Sequence, residues 1–109
     1  MPQAGRYRHR VTIQEPVYTK DASHAPQKTW DDVATVWASV WPLRGREFYA
    51  AKSVNSEVET TIRMRYHSDV RNDWRIVHGN NTYVILAVLN LQGRNIELEL
   101  MCKEVEHDG

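Results

Sequence analysis

The sequence predicts a mainly β fold: a small antiparallel β-barrel or sandwich of about six strands, with one short helix and one long mobile loop. Three observations predict it. Apolar residues recur at every second position in several segments, turn-forming residues punctuate those segments at regular intervals, and too little helix-forming sequence remains for the crossovers that parallel strands need. With 109 residues, the chain has the length of one domain, taken as residues 1–109. A chain of this size hides only about two-thirds of the surface its unfolded form exposes, so partner contacts can add much to its stability.

The first strand is read from His9, Val11 and Ile13 alternating with Arg10, Thr12 and Gln14. Pro16 is expected to stop it, because proline lacks the N–H that a continuing ladder would use. Val17 to Lys28, with Asp21, Ser23, His24 and Pro26 and no apolar period, reads as the mobile loop. Val33 to Trp41 is β-branched and aromatic, with Val36, Ala38 and Val40 on one parity and Trp37, Ser39 and Trp41 on the other; it reads as the central strand. Pro42 and Gly45 end it, and a short helix follows over about Arg46 to Ser53, with Phe48 and Ala51 on one side.

The strand Glu57 to Tyr66 has the cleanest period of two, with Val58, Thr60, Ile62, Met64 and Tyr66 set against Glu57, Glu59, Thr61, Arg63 and Arg65. A polar turn over His67 to Asp73 leads to a hairpin, Trp74–His78 and Thr82–Leu89, joined through Gly79, Asn80 and Asn81. Gln92, Gly93, Arg94 and Asn95 then turn the chain into a last strand whose inward parity is Ile96, Leu98, Leu100 and Cys102.

Lys plus Arg and Asp plus Glu both number 14, so the net charge is zero, which is not the balance of a globally basic nucleic-acid binder. The charges are unevenly placed. Arg6, Arg8 and Arg10 open the chain without an acid, whereas Glu97, Glu99, Glu104, Glu106 and Asp108 close it against Lys103 alone. Such asymmetry suits head-to-tail contact between copies, and solvated strand edges are the alternative. Inter-subunit contact is therefore expected at Arg6, Arg8, Arg10, Glu57, Glu59, Arg63, Arg65, Glu104 and Glu106. Cys102 is the one cysteine, so no internal disulfide forms and a reducing compartment is expected. The longest apolar run, Tyr83 to Leu89, is too short to span a bilayer, and neither export nor membrane attachment is expected.

Reactive centres need convergent groups, and the sequence offers few. His67, Asp69, Asp73 and His78 match no metal spacing, and turn formation explains the two aspartates. Cys102 lies on an apolar parity and reads as a small buried hydrophobe rather than a nucleophile. Phosphate-binding, dinucleotide-binding, nucleophile-elbow and paired-cysteine motifs are all missing from the sequence. No catalytic residue, cofactor or metal is therefore expected. Trp30, Trp37, Trp41 and Trp74 together with Arg63, Arg65 and Arg75 raise one other class, a small barrel that stacks and tracks single-stranded nucleic acid. The same residue types are enriched at protein interfaces, and Arg63 and Arg65 share their strand face with acids.

The order of segments RHRVTIQ (Arg8 to Gln14), WDDVATVWASVWPLRGREFYAA (Trp30 to Ala51), VETTIRMRYHSDV (Val58 to Val70), WRIVHGNNTYVI (Trp74 to Ile85) and LELMC (Leu98 to Cys102) resembles the phage head-tail adaptor family, also called head-closure or stopper proteins. The resemblance covers about Gly5 to Glu104. It implies a structural subunit of a ring below the portal, in the neck of the virion, that joins head to tail and helps retain packaged DNA. It also implies self-association on the connector, contact with portal and tail proteins, non-specific contact with DNA, and assembly in the cytoplasm of the bacterium. A tail-completion role is the alternative within the same class. The segment between the two central strands is expected to face the channel or an adjacent ring through Arg44, Gly45, Arg46, Glu47, Tyr49 and Lys52; a helix capping the barrel end is compatible with this. The loop Tyr18 to Thr29 and the tail after Glu104 fall where such proteins vary, so no role is carried over to them.

Overall fold

The computed structural model describes residues 7–20, 26–43 and 45–106, apart from the side chains of Glu47, Phe48, Ala51 and Val54. Its strands are β1 (His9–Lys20), β2 (Pro26–Pro42), β3 (Thr60–Arg65), β4 (Arg75–His78), β5 (Asn81–Asn90) and β6 (Glu97–Val105), with helix α1 (Gly45–Val54) between β2 and β3. All six strands pair antiparallel and close into a barrel in the order β1-β2-β3-β6-β5-β4. Closure leaves the barrel itself without an edge strand.

The predicted alternation builds the interior. Val11 and Ile13 of β1, Ile62 and Met64 of β3, and Leu98 and Leu100 of β6 are all buried in one core cluster, while Arg63 and Arg65 point the other way. Cys102 is fully buried in that cluster, burial pushes its thiol far up, and its Sγ lies 3.5 Å from the Leu100 carbonyl oxygen. It is the small buried side chain expected. The helix and the β4–β5 hairpin also form where the sequence places them. In the hairpin His78 faces Asn81 across a two-residue turn with Gly79 at φ +60°, a value glycine adopts without steric cost.

Four local expectations are corrected. First, Pro16 does not stop β1, and Val17–Lys20 and Pro26–Lys28 are strand rather than loop; residues 21–25 of the expected loop lie outside the described residues. The reason is that β1 loses its second neighbour after Gln14. A strand paired on one side uses only alternate N–H groups, so a proline fits at the others. Secondly, Ile96 and Tyr66 are exposed although the alternation places them inside. The β3–β6 ladder ends at Arg65 and Glu97, and the Tyr66 N–H donating to the Ile96 carbonyl at 2.9 Å is a single further link past it, so both side chains sit at the barrel's end rather than inside it.

Thirdly, Val58 precedes β3 and packs outside the barrel against Met101, Leu43, Leu86 and Ala87. A register shift between Ile85 and Ala87 reaims β5 there. Fourthly, Glu97 is 92% hidden rather than solvated, being only 8% exposed. Its burial has a specific partner, described below.

The seam that closes the barrel is also the shortest, with three residue pairs from Thr12↔Val77 to Gln14↔Arg75. Side chains extend it. Arg75 Nε donates to Gln14 Oε1 at 2.6 Å, and Gln14 Nε2 donates to Asp32 Oδ1 at 2.7 Å. At its other end the rings of His9 and His78 meet edge to face at 4.7 Å, and His78 Nδ1 is buried without a hydrogen-bond partner. Burial first, and the neighbouring His9 second, lower the His78 pKa. The folded state thus prefers neutral His78. Its contribution is whole above the unfolded histidine value of about 6.5 and is lost as pH falls below it.

Two outcomes are expected. Thermal melting should show Tm falling between about pH 7 and pH 5.5, with a shallower fall in His78→Gln; equal slopes in the two proteins would exclude the pair as the cause. Leu100→Ala should cost about 2–5 kcal/mol in urea unfolding, whereas Ile96→Ser, at a side chain 53% exposed, should stay within about 0.5 kcal/mol.

Candidate functional site

The described surface offers projecting segments and charged patches rather than a cleft of reactive groups. Its largest feature follows from strand length. β1 and β2 overrun the barrel, and the six pairs from Glu15↔Asp31 to Lys20↔Pro26 have no third strand beside them. At about 3.3 Å per residue these pairs form a two-stranded arm roughly 20 Å long, and the molecule measures 50 × 27 × 27 Å. Gln14↔Asp32, Pro16↔Trp30, Tyr18↔Lys28 and Lys20↔Pro26 share one face of this arm, and Glu15↔Asp31, Val17↔Thr29 and Thr19↔Gln27 share the other.

The first face carries a ladder of alternating cations and rings. The Arg75 guanidinium lies 4.4 Å from the Trp30 ring centroid, and Lys28 Nζ lies 4.6 Å from Trp30 and 5.9 Å from Tyr18, which is 68% exposed. Each such contact holds a cation over the electron-rich face of a ring. Nearer the barrel, Trp37 and Trp41 are more than half exposed on the outer face of β2, with Arg10 stacked 5.2 Å from Trp37. Between them Ser39 is buried, and its Oγ has no hydrogen-bond partner.

A second surface lies where β3 begins and β6 ends. Thr60 pairs with both Pro42 and Cys102, and the Glu59 N–H donates to the Cys102 carbonyl at 2.9 Å. Around this junction Glu57, Glu59, Glu104 and Glu106 are all exposed, and Lys103 Nζ pairs with Glu57 Oε1 at 3.3 Å. This is an acidic rim, at the opposite end of β2 from the arm.

The α1 segment is the third. Gly45 has φ +58°, a conformation that strains any residue with a side chain, and it starts the helix immediately after the β2 excursion. Arg46 and Tyr49 are exposed, Tyr49 at 75%, and Lys52 Nζ donates to the Ser56 carbonyl at 2.6 Å, tying off the helix end. Arg44 and the Glu47 side chain lie outside the described residues.

The remaining sequence-predicted contacts fall in different places. Arg6 lies outside the described residues, and Arg8 and Arg10 are exposed at the start of β1. Arg63 is spent within the chain, in a half-buried pair with Glu99 at 3.2 Å across the β3–β6 ladder. Arg65 lies 5.8 Å from the ring of Tyr7, which is buried and donates its hydroxyl hydrogen bond to Glu97 Oε2. That tyrosine explains the buried carboxylate. His67, Asp69, Asp73 and His78 do not converge: His67 Nδ1 accepts from the Asp69 N–H, Asp73 turns the chain at φ +71°, and His78 belongs to the seam. Among the described residues no three metal-ligating side chains gather.

Sequence reasoning missed Tyr7, Glu97 and the arm. The arm had a signal, since Pro16, Tyr18 and Lys20 on one strand and Pro26, Lys28 and Trp30 on the other keep a period of two. The prolines and the lack of an apolar alternation concealed it.

The family model described as phage head completion protein matches residues 2–105. Among solved structures, a Shigella flexneri 2a protein with a known solution structure is similar at 27% identity and TM-score 0.72, over 94% of this chain and 96% of that one. A chain from the virion of a native gene transfer agent particle has the same fold at 20% identity and TM-score 0.64, over 98% of this chain and all of that one. No curated protein matches.

The Tyr7 contact yields a direct test. Tyr7→Phe leaves the Glu97 carboxylate buried without its donor and should destabilise the protein by about 1–3 kcal/mol, read by urea unfolding. A change under about 0.5 kcal/mol, the range of ordinary surface substitutions, would mean that the hydroxyl is not what sustains the buried carboxylate.

Proposed function

The chain belongs to the phage head completion protein family, whose members are structural rather than enzymatic, and on that premise we propose that it is a ring subunit in the virion neck that joins the portal to the tail and helps retain packaged DNA. The observation that carries the reading is the division between a closed barrel and the segments that leave it: the arm, the outward tryptophans and the α1 segment. A ring subunit needs a rigid core that sets the angle to its neighbours and exposed excursions that meet them. The gene transfer agent chain, which comes from a virion, supports the same placement by likeness of fold. A tail-completion role uses the same surfaces.

In this reading the partners are the portal or connector ring, tail proteins and further copies of the chain, first in the bacterial cytoplasm and then in the particle. Gly45, Arg46, Tyr49 and Lys52, with Arg44 and Glu47, form the segment that meets the channel or the adjacent ring. Arginines there suit DNA phosphate or acidic neighbours, because a guanidinium donates to both bidentately. The small area of each of these surfaces makes self-association weak until a template supplies many contacts at once.

The cation–ring contacts on the arm also fit a single-stranded nucleic-acid binder. That reading demands a steep loss of oligonucleotide affinity with salt, and zero net charge weighs against it.

Imaging decides the main proposal. Purified chain alone should be monomeric or weakly associated and should form rings only on its own phage's connectors; bare connectors would refute it. Arg44→Ala with Arg46→Ala should keep the melting temperature yet lower the yield of DNA-filled infectious particles. Unchanged yields would remove those two residues from head closure.

A further inference from the structure

We infer that the β1–β2 arm is the inter-subunit clasp: its cation–aromatic face docks on the acidic rim at the opposite end of a second copy of this chain. This rests on the ring reading above and names the surfaces that make the ring.

The arm needs a partner by its construction. An isolated two-stranded hairpin is marginal in water, because neither face is covered and the closure entropy is barely offset. Here six residue pairs stand clear of the barrel, and Glu15 lies directly opposite Asp31, a like-charge pairing that destabilises the ribbon. Docking by edge is disfavoured, since Pro16 removes a donor from β1 and Lys20 places a charge at its end. The face is what remains. On it Lys20, Tyr18, Lys28 and Trp30 stand in register, and neither lysine has a carboxylate partner among the described residues.

The occupant follows from complementarity. Glu57, Glu59, Glu104 and Glu106 surround the start of β3 and the end of β6, and Lys103 on Glu57 is the cation paired there among the described residues. On the arm's cation face Lys20, Lys28 and Arg75 outnumber Asp32, with Glu15 and Asp31 on the opposite face, and on the rim four glutamates outnumber Lys103, so the two facing patches have opposite sign. They also lie at opposite ends of β2, a strand of 17 residues, about 50 Å when extended. A contact between opposite ends of two copies is heterologous, and heterologous contacts propagate into rings when the rotation closes. Buried aromatic and cationic anchors are the groups that carry such interfaces.

Charge exchange tests the contact. Full-length chain is added to connectors as wild type, as Lys20→Glu/Lys28→Glu, as Glu104→Lys/Glu106→Lys, and as the fourfold variant that carries both exchanges. Each twofold variant should fill rings about tenfold less well, and the fourfold variant should recover, because its altered arm again meets a rim of opposite charge. Circular dichroism confirms that all four are folded. Carbodiimide cross-linking of mixed light and heavy isotopic copies, on connectors and also concentrated without them, should in at least one of the two settings join Lys20 or Lys28 of one copy to Glu59, Glu104 or Glu106 of another.

Twofold variants that fill rings as wild type does, or a folded fourfold variant that fails to recover, overturn the clasp. So does an absence of inter-copy cross-links. If Lys20→Glu/Lys28→Glu loses affinity for a single-stranded oligonucleotide while filling rings normally, nucleic acid is the occupant and the clasp is wrong. Bare connectors with cross-links still formed would sink the head-joining reading and leave the clasp standing.

Discussion

Closure of the sheet between β1 and β4 is the constraint on which the other features depend. Three residue pairs complete the ring of hydrogen bonds, and because they involve only a short stretch of β1, the rest of that strand is released. β1 has 12 residues and β2 has 17, yet their far neighbours β4 and β3 have 4 and 6. The surplus cannot be absorbed by a barrel that is already closed. It leaves as a ribbon, and the mismatch in strand length thus becomes the most prominent surface of the molecule.

The same closure explains how a small chain manages its polar groups. Inside, Ile13, Ile62, Ile76, Ile85 and Leu100 are fully buried and leave no room for charge. Outside, the strands use some of their charges on one another, as in the Arg63–Glu99 pair and in Glu97 held by Tyr7. Charges consumed this way are worth little for binding, because their partners are already in place and partly desolvated. What remains for partners is segregated: cations and rings toward the arm, carboxylates toward the β3–β6 junction, and Arg46 and Tyr49 on α1. Exposed Trp37 and Trp41 continue the arm's outer face along β2.

Fold and family agree with this division of labour. The barrel is shared with proteins at 27% and 20% identity over nearly their full lengths, so the fold tolerates extensive substitution.

By itself the sequence determined the class of fold, the approximate position of the strands that build the barrel though not of the arm, the short helix and the absence of familiar catalytic motifs, because strand alternation and turn chemistry are local and need no knowledge of the neighbours. It also showed that Cys102 is a core residue and that both ends of the chain carry charge of opposite sign. Tertiary structure alone decided which of those features matter. Pro16 passes through a strand because β1 has one neighbour there, Ile96 is exposed because the ladder has just ended, and Glu97 is buried because Tyr7 reaches it from 90 residues away. Each depends on which strand lies alongside and where the pairing stops, and barrel closure sets both through contacts far apart in the chain.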